Sequence, residues 1–158
     1  MTGNRFRTHT VVLLVLLGLQ FVAGMVLNLF IDIPKHHPGT SGGDYYSRSW
    51  ASLLWALSGG AGWALMVHAL LAVVLLLGTF FLFLRALRPA GRGWRWGTGI
   101  ATIVTLGALF NGLSFLDLNQ DFSSMIMASC WLVVVSILVL LLVRSRLQPG
   151  GAKVAETA

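Results

Sequence analysis

The sequence predicts an all-α integral membrane protein: a bundle of four transmembrane helices with a short interfacial helix in the first outer loop. Three observations predict it. Apolar stretches without a formal charge, at residues 10–31, 62–84, 97–116 and 122–143, fill most of the 158-residue chain. Each is close to the roughly 20 residues that a helix rising ~1.5 Å per residue needs to cross ~30 Å of hydrocarbon. Composition agrees, because 56% hydrophobic residues, 10% charged residues and a mean hydropathy of +0.81 leave too little polar surface for a soluble domain of this length. The charges, finally, are sorted by segment. Arg5, Arg7, Arg85, Arg88, Arg92, Arg95, Arg144, Arg146 and Lys153 fall on one side of an even helix count, opposed there only by Glu156. Asp32, Asp44, Asp117 and Asp121 fall on the other, with Lys35 and Arg48.

The first stretch follows a basic start, Asn4-Arg5-Phe6-Arg7. Its apolar run outlasts the about 7–15 residues of a signal-peptide core, and no Ala-x-Ala site closes it, so an uncleaved signal anchor is expected. Residues 32–61 form the first outer loop, which opens on Pro34, Pro38, Gly39, Gly42 and Gly43, residues that cannot continue a helix. It closes on a run in which Tyr46, Trp50, Leu53, Leu54 and Leu57 recur at helical spacing. The aromatics suit the headgroup level, so a helix lying on the outer membrane surface is expected there, ending at Gly59-Gly60.

The third and fourth stretches are separated only by residues 117–121, which makes them antiparallel neighbours. Gly97, Ala101, Thr105, Ala108 and Gly112 give the third helix a face of small residues along which another backbone can approach. Residues 148–158 lack apolar periodicity and are expected to form a disordered tail, leaving residues 1–147 as a single domain. The one cysteine, Cys130, lies inside the fourth stretch, so neither an intramolecular disulfide nor a cysteine zinc site is available.

The net charge of +6 has a membrane explanation. By the positive-inside rule both termini and the loop at 85–96 are expected to be cytoplasmic. The expected partners are the lipid bilayer and its anionic headgroups, a membrane-protein partner or a second copy of the chain, and no nucleic acid.

Function should lie in the polar residues at lipid depth. Counted from the outer ends, Asn28 lies about 5 Å deep, His68 about 9 Å, Asn111 about 8 Å and Ser114 about 3 Å. Their shared depth points to an outward-facing ligand site, capped by the interfacial helix and the His36-His37 loop. His68 has two readings: an imidazole kept at a cost to bind or shuttle something, or a histidine satisfied by Asn111 or a carbonyl across a helix interface. Gln20, Thr79, Thr98, Thr102 and Ser136, in the inner half, are expected to bond a neighbouring helix or the carbonyl one turn back. On the outer side His36, His37, Asp32, Asp117 and Asp121 are imidazoles and carboxylates suited to zinc. Asp117-x-Asn119-x-Asp121 starts like a calcium loop, but Phe122 stands where glycine is required, and Asp121 equally reads as a helix cap.

Several activities are excluded by what is missing. No serine has a histidine and an acid at matched depth, no phosphate-cradling glycine motif occurs, and there is no His-Glu-x-x-His. No acidic residue lies inside an apolar stretch, which removes proton-coupled export. A binding or accessory subunit is therefore expected in place of an enzyme, with a purely structural scaffold as an alternative.

Two resemblances add to this reading. The segments at 19–28 and 33–39, Val67-His68-Ala69, residues 110–117 and residues 123–127 together resemble a family of small four-helix bacterial membrane proteins, which implies the same fold, a place in the cytoplasmic (inner) membrane of a bacterium, and no catalytic role. The helix around Val67-His68-Ala69 looks a little like the haem-bearing helices of four-helix b-type cytochromes, where small residues beside a histidine make room for the porphyrin. That resemblance implies haem b or quinone-linked electron transfer, although no cofactor is expected from the residues alone. The facing histidine is absent here, so the second axial ligand would come from Met66, Met125, Met127, His36, His37 or another protomer.

Overall fold

A computed structural model describes residues 2–87, 91–118 and 121–147; the expected tail at 148–158 and the Asp121 side chain lie outside what it describes. The described residues form five helices: α1 (Thr2–Phe30), α2 (Tyr45–Leu57), α3 (Trp63–Ala86), α4 (Arg92–Leu118) and α5 (Asp121–Leu147). Four of them are long and apolar enough to cross a membrane, over Arg5–Phe30, Trp63–Ala86, Arg92–Asp117 and Phe122–Ser145. The helices outrun the apolar stretches because an α-helix continues past the hydrocarbon edge wherever no Pro or Gly stops it. α1 accordingly begins in the basic segment before residue 10.

α1 packs against α3 and α5, and α4 packs against the same two helices, while α2 touches α3 and α4. α1, α3 and α5 each contribute a pair at helical spacing, and α4 contributes a single alanine. Leu13 and Leu17 come from α1, Leu75 and Leu82 from α3, Ala101 from α4, and Val134 and Leu138 from α5, and all are buried in one core. Large apolar side chains also face outward on every long helix, among them Val15, Leu70, Ile103 and Leu132. Such a surface belongs in lipid, where apolar contact with acyl chains replaces burial.

Between membrane helices there is no hydrophobic gain to drive association, so close packing must hold them. A Cβ on Gly78 of α3 would stand 2.6 Å from Leu13 Cδ2 of α1, and one on Gly97 of α4 would stand 3.0 Å from Leu141 of α5. The small face of α4 thus meets α5, and Ala101 on it is fully buried. Thr79, Thr98 and Thr102 each bond the carbonyl four residues back, as expected of hydroxyls in an apolar helix. Trp131 of α5 donates its indole N–H to the Leu17 carbonyl of α1 at 2.8 Å.

The starts of α1 and α4 and the ends of α3 and α5 share one end of the molecule. Phe6 meets Trp94 with ring centroids 5.5 Å apart, and Arg5, His9 and Arg85 line one hollow. This basic end carries Arg5, Arg7, Arg85, Arg92, Arg95 and Arg144; the opposite, acidic end carries Asp32, Asp44 and Asp117. α2 lies at the acidic end, and its orientation divides the stripe read from the sequence. Ser49, Ser52, Leu53 and Ala56 face the other helices, whereas Tyr46, Trp50 and Leu54 face away. Asp117 supplies the reason, since the α2 serines must turn inward to reach it.

Candidate functional site

Asp117, near the C-terminal end of α4, is buried, and a buried carboxyl group needs hydrogen-bond partners. α2 supplies both: Ser49 Oγ donates to Oδ2 at 3.2 Å and Ser52 Oγ donates to Oδ1. Ser49 and Ser52 lie three residues apart, so they share one helix face and can grip one carboxyl from two sides.

The loop before α2 is tied to the same place. His37 is buried and stacks on Trp55 of α2, with ring centroids 4.3 Å apart and an interplanar angle of 8°. Its Nδ1 accepts from the Gly39 amide at 3.3 Å, so Nε2 carries the hydrogen and donates to the Leu116 carbonyl at 3.1 Å. Gly39 lies so close to α2 that a Cβ there would overlap the Ser52 side chain, and Arg48 Nε donates to its carbonyl at 3.3 Å. Tyr45 and Ser114 join their hydroxyls at 2.7 Å, a further link between α2 and α4. Loop, α2 and the end of α4 are thereby fastened into one cap.

Beside Asp117 the cap leaves a cavity of about 320 Å³, lined in part by Pro34, Lys35, His36, Thr40, Phe115 and Asp117. The walls combine a cation, an imidazole, hydroxyls and apolar carbon, a mixture suited to a small amphipathic ligand.

A second polar group lies deeper, between α1 and α3. The Gln20 amide nitrogen donates to His68 Nε2 at 3.2 Å, which leaves the ring hydrogen on Nδ1. The ring lies against Gly24, one turn beyond Gln20, where a Cβ would approach Cε1 to 3.2 Å. His68 Nδ1 and Gln20 Oε1 are buried and without a hydrogen-bond partner among the described residues. One ring nitrogen is thus engaged by Gln20 and the other enclosed, so axial ligation of iron by His68 requires Gln20 or the α1 backbone to move.

The four residues grouped by depth do not converge on the cavity. Asn28 is exposed near the end of α1, and Asn111 donates to the Gly107 carbonyl of its own helix at 2.9 Å. Ser114 is held by Tyr45 and His68 by Gln20, and none of the four lines the cavity. Equal depth places residues on one level and leaves their direction around each helix open. Of the candidate metal ligands, His36 and Asp117 line the cavity, His37 is engaged through both nitrogens, and Asp32 is exposed. No three His, Cys, Asp or Glu side chains are grouped to hold a metal ion among the described residues.

Sequence reasoning missed Gln20 as the partner of His68, and Ser49, Ser52 and Trp55 as the partners of Asp117 and His37. The signals were present as spacings: Gln20 and Gly24 four apart, Ser49 and Ser52 three apart on a helix otherwise rich in large apolar residues. Comparison with protein-family models, curated proteins and solved structures finds no match for this chain, so its own geometry must carry any functional reading.

Proposed function

We propose that this multi-pass membrane protein is a non-enzymatic binding or accessory subunit whose ligand site is the cavity beside Asp117. The long helices form a four-helix bundle, with both termini cytoplasmic by the positive-inside rule. α2 lies in the outer interface, with Tyr46, Trp50 and Leu54 directed into the headgroup region. One observation carries the reading: a buried carboxyl group, clasped by Ser49 and Ser52, forms part of a cavity also lined by Lys35 and His36. Clasping Asp117 makes a rigid floor, and a rigid site loses little conformational freedom when it binds.

The Thr40 hydroxyl in the cavity wall is engaged with the His37 carbonyl at 2.9 Å, and the mixed polar and apolar walls suit retention of a small molecule or lipid headgroup. Asn28, Asn111, Ser114 and His68 belong to the surrounding outer half of the bundle in this reading, with the His68–Gln20 pair holding α1 to α3.

The test is mass-spectrometric profiling of small molecules and lipids that co-purify in mild detergent with the wild type and with Thr40→Trp, which fills the cavity. A species present with the wild type and depleted in Thr40→Trp supports the proposal. Identical profiles, with both proteins monodisperse and equally stable, refute it.

A further inference from the structure

At the end of the molecule opposite the proposed ligand site, Arg5, Thr8, His9 and Arg85 line a shallow, open hollow of about 310 Å³ between the start of α1 and the end of α3. Arg5 and His9 are four residues apart on α1 and therefore share a face; Arg85 reaches the same space from α3. Both guanidinium groups are on exposed side chains bordering this hollow, and their like charges favour an anion there. None of the described acidic side chains is near, because Asp32, Asp44 and Asp117 stand at the far end.

Depth narrows the anion. Arg5 begins the first candidate span and Arg85 is the penultimate residue of the second, so the hollow opens at the edge of the hydrocarbon, where phospholipid phosphates lie. Arginine forks match the oxygens of a phosphate group, and two of them from different helices surround one phosphate better than one carboxylate. We propose that this hollow is a binding site for the phosphate group of an anionic phospholipid, which bridges α1 and α3 by occupying the space between Arg5 and Arg85. The site stands independently of the ligand cavity at the acidic end.

The test is native mass spectrometry of the full chain in detergent, titrated with phosphatidylglycerol and, separately, phosphatidylcholine. Phosphatidylglycerol is expected to bind the wild type preferentially, with binding weakened at least about tenfold, ~1.4 kcal/mol, in Arg5→Gln/Arg85→Gln. The control Arg92→Gln/Arg144→Gln removes the same charge from the same end without touching the hollow and should bind as the wild type does. Arg5→Lys/Arg85→Lys keeps the charge and should bind with intermediate strength, which guards against misfolding of the neutral variant. Equal weakening in the control pair would reduce the site to general surface charge, and equal binding of both lipids would also overturn the proposal. Inorganic phosphate that displaces the lipid and matches its thermal stabilisation would assign the hollow to free phosphate instead.

Discussion

Replacing Asp117 by alanine should release α2 from the rest of the molecule without dissolving the four long helices. The substitution removes the acceptor for both Ser49 and Ser52, which lie on the buried face of α2. Leaving a buried donor unsatisfied costs about 1–3 kcal/mol, so two hydroxyls set an upper range of about 2–6 kcal/mol. Each serine can recover part of that by turning to the carbonyl one turn back on its own helix, which brings the expected loss towards ~2 kcal/mol. A local opening made easier by ~2 kcal/mol raises the open population about thirtyfold. Hydrogen exchange measured across residues 45–57 in detergent or nanodiscs should therefore accelerate about thirtyfold, while the core of α3 and α5 around Leu82 and Leu138 keeps its protection. Asp117→Asn retains one acceptor and a hydrogen-bonding amide, and should lose much less. Exchange in α2 within threefold of the wild type would refute the claim that Asp117 holds the cap, and so would uniform acceleration through all five helices.

Three further outcomes follow from the contacts. Gly39→Ala drives a methyl group into Ser52 and towards the Arg48 carbonyl, so overpacking of about 1–3 kcal/mol should raise exchange in residues 33–57 and leave α5 unchanged. His68→Leu removes the bond to Gln20 and should destabilise the protein by ~0.6 kcal/mol, the usual size of such a bond in a membrane, in a denaturant titration in mixed micelles; a co-purifying pigment or ligand lost in this variant would show a binding role instead. The Ser47 hydroxyl, 2.7 Å from Asp44 Oδ1, holds that carboxyl below its ordinary value of 3.8. A depressed carboxyl stabilises the fold above its unfolded value, and this contribution disappears as pH falls through the folded value, so Ser47→Ala should move the Asp44 titration upward by NMR and narrow that acidic window.

Membrane residence, the span count and the charge asymmetry were readable along the chain because each depends on composition summed over some twenty residues at a time. The small face of α4 was readable too, since Gly97 and Ala101 announce a close approach whichever helix makes it. Five residues of loop between the third and fourth stretches likewise bind α4 and α5 into neighbours.

The partners of individual polar side chains were decided elsewhere. Depth counting put His68 and Asn111 on nearly the same level, yet rotation about the helix axes turned His68 to Gln20 and Asn111 to its own backbone. α2 shows the same limit: its aromatic spacing marked an amphipathic helix, but Asp117, 60 residues or more away in sequence, drew Ser49 and Ser52 inward and left Trp50 and Leu54 outside. Hydrophobic transfer acts on a segment as a whole and is written locally, whereas satisfaction of a buried hydrogen-bonding group depends on what the folded chain brings within about 3 Å of it.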